Sequence, residues 1–283
     1  MSTKFLEILI FPMKQFNHLL KFIEKKAVKI EKRLRFALSS LCLALLLLFS
    51  TFFYFDKAFI FIPLLVVTTY VLTYFSVLEG IHDIEWFTLF FMPIVVSVSF
   101  YLFYFLFPVR WLTRLPFIVI YGISTYAILL TANIFNIGVE KSLQLYRAAF
   151  SVNFFYQTVC SFLLFNIILF FRLNFLYNAI LAGGIGFLLD IHLFWTLKLD
   201  KTIEKRLLLF AFLIGSVIFE AASLMSFVPI NSTIFSLFLT GILYSLSGLS
   251  YSYLDQRLFK ETIREYLIVL GFIFVITLLS ISW

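Results

Sequence analysis

The sequence predicts an all-α fold, a polytopic integral membrane protein, and three observations carry that prediction. Of 283 residues, 63% are hydrophobic and only 13% are charged, too little polar surface for a domain of this length to face water on all sides. Apolar runs of about 20 residues recur along the chain, enough to cross a hydrocarbon core as helices. Lys and Arg gather in alternate turns between those runs, the distribution expected of a multi-spanning chain.

The elements follow in order. Residues 1–35 form the one sizeable polar segment and carry nine of the 22 basic residues. Phe16, Leu19, Leu20, Ile23, Ala27, Ile30 and Leu34 recur there at helical spacing, with Lys21, Lys25, Lys32 and Arg35 off the stripe. This pattern reads as an interfacial helix, its apolar face among acyl chains and its lysines on anionic headgroups. The alternative is a helix docked on the protein's own cytoplasmic face. The run from Phe5 to Met13 is short, is interrupted by Glu7 and Pro12 and lacks a small-residue cleavage site, so it is not read as a signal peptide.

Nine spanning segments are expected at 36–54, 58–78, 86–107, 115–137, 148–171, 175–197, 207–228, 232–251 and 266–282. Together they make a transmembrane domain over 36–283 behind the basic amphipathic segment. The short turns make consecutive helices antiparallel neighbours. With the N-terminus inside, the inner segments hold 18 basic residues and the outer turns four, Lys57, Arg110, Arg114 and Arg172. That partition predicts a cytoplasmic N-terminus, a C-terminus outside and residence in the cell membrane.

Charged residues inside hydrocarbon cost several kcal/mol, so each is a functional-site hypothesis. Asp190 and Glu220 are the two carboxylates that these segments place there. Asp190 shares a helical face with Gly183 and Gly186, and Glu220 shares one with Ser216 and Ser223. The expected separation in depth is about 10 Å, suited to two stations along a polar path. The functional reading is a proton or cation relay; the structural one is interhelical hydrogen bonding. His192 lies two residues from Asp190, about 200° away on a helix, so the pair does not form a dyad. Beside Trp195, this histidine reads as a snorkelling or capping group ahead of a relay member.

A second constellation runs through Asn133, Asn136, Glu140, Gln144 and Arg147, whose intervals of three and four make one helical stripe that Gly138 can break. Asn153 and Gln157 continue the polarity into the next segment. Amides in hydrocarbon need partners, so this face lines a path or bonds to other helices or to another subunit. The stretch from Tyr126 to Phe154, with its Leu-Leu-Thr-Ala-Asn-Ile-Phe-Asn core and Gln-Leu-Tyr-Arg-Ala-Ala, resembles a segment of uncharacterised multi-spanning integral membrane proteins from small-genome bacteria. That resemblance implies no activity.

Two clusters have simpler readings. Glu79, His82, Asp83 and Glu85 form an acidic turn able to pair with cytoplasmic cations, and no metal site is assigned to them. Arg110 and Arg114 flank Trp111 as an interfacial belt residue group, or as a lipid-phosphate contact. Cys42 and Cys160 both sit in apolar runs and read as inert.

No Gly-x-Ser-x-Gly elbow, His-Glu-x-x-His helix, P-loop or dinucleotide fingerprint occurs. No catalytic residue, cofactor or nucleic-acid partner is therefore expected; the net charge of +7 reflects topology. Two function classes remain: transporter-like movement of a small solute or ion, and a non-catalytic scaffold or subunit of a membrane complex.

Overall fold

The computed structural model describes residues 30–53, 57–78, 86–106, 111–137, 143–199 and 203–281. Among them lie nine α-helices: α1 (Lys32–Ser50), α2 (Ala58–Val77), α3 (Trp86–Tyr104), α4 (Trp111–Ile137), α5 (Leu143–Phe170), α6 (Phe175–Trp195), α7 (Lys205–Met225), α8 (Ser232–Leu254) and α9 (Lys260–Leu279). Eight are long and apolar enough to cross a membrane, and the residues described in full within α3, Thr88–Tyr104, are apolar as well. The expected N-terminal amphipathic helix falls almost wholly on residues outside those described, as do Glu79–Glu85, Arg110 and Glu140.

Several helices begin before the hydropathy boundary. Helix α5 starts at Leu143 where 148 was expected, and α9 at Lys260 where 266 was expected. In both, the extra turn carries charged or amide side chains that are exposed, Gln144 and Arg147 in one and Lys260, Glu261 and Arg264 in the other. Backbone hydrogen bonding extends a helix into the polar interface; side-chain hydropathy stops at the hydrocarbon edge. Pro63 and Pro93 lie inside α2 and α3 without ending them.

Two packed groups meet at α3 and α5. In the first, α1 to α4 surround Leu43, Leu47, Leu65, Val96, Tyr101 and Tyr121. In the second, α5 to α8 enclose Phe165, Leu189, Leu193, Ala211, Ile218 and Leu239. Helix α3 touches α2, α4, α5 and α6, and α5 touches α3, α4, α6 and α8. Hydroxyl groups knit the first group together. Thr69 and Tyr121 both donate to Oγ of Ser97, at 3.0 and 2.9 Å, and Ser76 donates to Ser39 at 2.8 Å. Each such bond between helices contributes about 0.6 kcal/mol.

Glycine sets the closest approach in the second group. A Cβ on Gly183 would stand 2.8 Å from the carbonyl oxygen of Gly215 and 2.9 Å from Cβ of Phe219, so α6 and α7 are in backbone contact at that level. At the α8–α9 seam, Tyr266 and Ile273 lie over Gly248 and Gly241, two pairs seven residues apart on antiparallel helices. The outer surface is apolar: Phe59, Leu112 and Leu279 are 86%, 85% and 82% exposed. A surface of this kind suits hydrocarbon, where burial of apolar side chains gains little.

Lys32, Arg147, Lys198, Lys205, Arg206, Arg257 and Lys260 lie at one end of the bundle, the basic end, where α2, α4, α6 and α8 finish and α1, α3, α5, α7 and α9 begin.

Candidate functional site

Asp190 sits five residues before the end of α6 and is completely enclosed. Its side chain faces α5 and α8. Oδ1 accepts a hydrogen bond of 2.6 Å from the hydroxyl of Ser247 and one of 3.3 Å from Nε2 of Gln157. Oδ2 has no hydrogen-bond partner, and neither does Oε1 of Gln157. Asn153, one turn before Gln157 on α5, is equally buried, and its Nδ2 is unpartnered. Three polar side chains from three helices thus meet in a space closed to solvent, with Asn153 one turn away on α5.

Local sequence explains the convergence. Asn153 and Gln157 stand four apart and project from one face of α5. Gly186, one turn before Asp190, faces Ile218 of α7 and Leu243 of α8, each 3.5 Å from where a Cβ would stand. Gly248 follows Ser247 directly, and the Tyr266 ring lies over it. Towards the basic end, a cavity of about 460 Å³ is lined by Tyr146, Arg147, Ser151, Tyr251, Ser252 and Asp255 among others. The Tyr146 hydroxyl donates to the carbonyl of Thr196, and Tyr251 stacks on Phe150 at 4.0 Å between ring centres. Gly248 is on the wall of this cavity, so the cavity ends one residue from Ser247.

The other expected residues are placed as follows. His192 points away from Asp190; its ring stacks on Phe91 of α3 at 5.5 Å and lies 5.9 Å from Trp195. At 2% exposure it is enclosed, which corrects the expectation of a snorkelling interfacial group: α3 covers this face of α6. Glu220 is exposed on α7, amid Phe212, Leu213, Val217 and Leu224, which are exposed too. The expected depth of about 10 Å between the carboxylates is also corrected. With Gly183 and Gly215 at one level, Asp190 lies seven residues toward the basic end and Glu220 five residues the other way, about 18 Å apart along the helix axes.

The stripe from Asn133 to Arg147 is divided between two helices. Asn136 is buried, and its Nδ2 donates to the Val77 carbonyl at 3.1 Å, tying α4 to the end of α2. Asn133 is half-buried, Gln144 and Arg147 are exposed on the first turns of α5, and Glu140 is outside the described residues. Gln157 therefore belongs with Asp190 and is apart from this stripe. Ser247 is the site residue that sequence reasoning missed. Its signal is present in the run of small residues Ser245, Ser247, Gly248, Ser250 and Ser252, which offers small side chains on two faces of α8 for neighbouring helices to approach.

Among the described residues no group of three or more His, Cys, Asp or Glu is arranged to hold a metal ion. A family model described as "Protein of unknown function (DUF5656)" matches residues 73–280. No curated protein and no solved structure matches the chain.

Proposed function

The chain belongs to this family of unknown function (DUF5656), and from that premise we propose, on its own residues, that it is a multi-pass protein of the cell membrane that moves a proton or small cation through the bundle, with Asp190 as the binding station. The N-terminus is inside and the C-terminus outside, so the basic end faces the cytoplasm. One observation carries the reading: Asp190 is enclosed among three helices, yet its Oδ2 has no partner. A carboxylate used only as interhelical glue would be expected to satisfy both oxygens, because an unmet polar atom in a closed site costs about 1–3 kcal/mol. An oxygen held without a donor is available to a proton or cation. Access would come from the cytoplasmic cavity through the Tyr146–Tyr251–Gly248 wall. Glu220 takes no part in this path.

The test is flux in reconstituted vesicles under an imposed pH gradient, read with a pH-sensitive dye. Asp190→Asn keeps the shape and removes the exchangeable charge. Loss of about tenfold or more in rate, with an unchanged melting profile, is expected. Equal rates in the two proteins would remove the proposal.

Glu220 favours a second reading, a non-catalytic subunit of a membrane complex. A carboxylate exposed within an apolar face suits a partner helix that supplies a donor. On this reading Glu220→Gln releases a co-purifying membrane protein and leaves flux unchanged.

A further inference from the structure

Arg114 occupies the first turn of α4, at the end of the bundle opposite the basic end, and only 6% of it is exposed. An interfacial belt arginine keeps its guanidinium in water; this one does not. Its Nε donates to the Tyr104 hydroxyl at 3.0 Å and its Nη2 to the Thr51 carbonyl at 3.3 Å. The guanidinium carbon lies 4.7 Å from the Phe52 ring centre and 5.0 Å from that of Trp111. All four partners are neutral, and no carboxylate forms an ion pair with Arg114 among the described residues. Cation–π contact offsets part of the desolvation of a buried cation, but a buried charge ordinarily has a counter-charge.

Space for one adjoins it. A cavity of about 440 Å³ is bounded by Arg114 and by Phe53, Phe105, Leu106, Phe170 and Phe171, at the ends of α1, α3 and α5. Among the described residues its walls are almost entirely aromatic and aliphatic, with the guanidinium as the one charged group. A small hydrated anion would be poorly housed there, because most of the wall offers no hydrogen bond. A ligand with an anionic group at one end and hydrocarbon behind it matches both parts.

We propose that this cavity binds an anionic phospholipid, its phosphate on the Arg114 guanidinium and its acyl chain against Phe105, Phe170 and Phe171. The planar fork of guanidinium presents paired donors to phosphate oxygens, and Tyr104 and Thr51 hold it in place. The headgroup has to be net anionic, since a zwitterionic one brings its own ammonium to its phosphate.

The experiment is native mass spectrometry of the full chain in neutral detergent. Phosphatidylglycerol, phosphatidylcholine with the same chains, and inorganic phosphate are each titrated in. Phosphatidylglycerol is expected to be retained about tenfold better than phosphatidylcholine, and Arg114→Gln is expected to abolish that difference. Leu106→Trp fills the cavity without touching the donors of Arg114. It is expected to lower retention of phosphatidylglycerol also, and it keeps the test decisive should Arg114→Gln fail to fold. Equal retention of the two lipids by the unaltered chain overturns the proposal. So does inorganic phosphate that displaces phosphatidylglycerol at equal concentration, because the site would then recognise a free anion and have no use for the apolar wall.

Discussion

Ser247 on α8 donates a 2.6 Å hydrogen bond to Asp190 on α6, joining positions 57 apart in the chain inside a region closed to solvent. The length is that of a hydroxyl on a charged or strongly accepting oxygen. Since Oδ2 has no partner and Gln157 is at 3.3 Å, Ser247 supplies the shorter of two bonds to this side chain. Ser247→Ala is therefore expected to destabilise the bundle by about 1–3 kcal/mol, the cost of leaving a buried acceptor under-satisfied. Reversible unfolding in mixed micelles measures it. A change below about 0.5 kcal/mol would mean that Asp190 finds another donor on relaxation.

The residues of this site show what was legible in the sequence. Asp190 stood out because a carboxylate in an apolar run is costly, and that argument needs no knowledge of neighbours. Hydropathy likewise located the helices to within a turn or two, since it depends on composition along one helix. It did not say which way a side chain faces. Glu220 has the same apolar surroundings in sequence as Asp190, yet it is on the exposed face of α7. Nor did it say which helices meet: Gln157 reads in sequence as a continuation of the polar stripe that starts at Asn133, while packing places it against Asp190. The contact of α6 with α8, which brings Ser247 to Asp190, is a property of several helices together.

Adjacent glycines on α6 are expected to respond with opposite signs. A methyl group on Gly183 would enter the space of the Gly215 carbonyl and Phe219 Cβ, both tied to backbone, whereas one on Gly184 meets nothing within 4 Å. Gly183→Ala is expected to cost about 1–3 kcal/mol by forcing α6 and α7 apart. Gly184→Ala is expected to be neutral, or to stabilise by up to about 1 kcal/mol through helix propensity. Unfolding of the two variants side by side checks this, and a large loss at Gly184 would contradict the packing described.

Glu220 offers a contrast with Ser247 within the same hairpin region. Being exposed, it donates nothing to the packing of a single chain, and Glu220→Leu is expected to leave the unfolding free energy in micelles within about 0.5 kcal/mol. A loss of several kcal/mol would place the carboxylate inside a contact that an isolated chain does not have.

The topology turns on whether α3 crosses the membrane along with the eight other helices. The full helix, Trp86–Tyr104, has 19 residues, about 28 Å at the α-helical rise, close to the hydrocarbon thickness. It also packs between α2, α4, α5 and α6, inside the bundle. If α3 crosses, the turns at Phe53 and Leu173 lie on one side and the turn at Leu258 on the other. If it does not, Phe53 and Leu173 are on opposite sides. Phe53, Leu173 and Leu258 are all exposed, so each can be replaced by Cys in a Cys42→Ala background, with Cys160 buried and silent. A membrane-impermeant maleimide on intact cells is expected to label Phe53→Cys and Leu173→Cys, and Leu258→Cys only after lysis. Labelling of Phe53→Cys without Leu173→Cys would show that α3 stays on one side of the membrane, and would also remove the 18-to-4 charge partition that orients the chain.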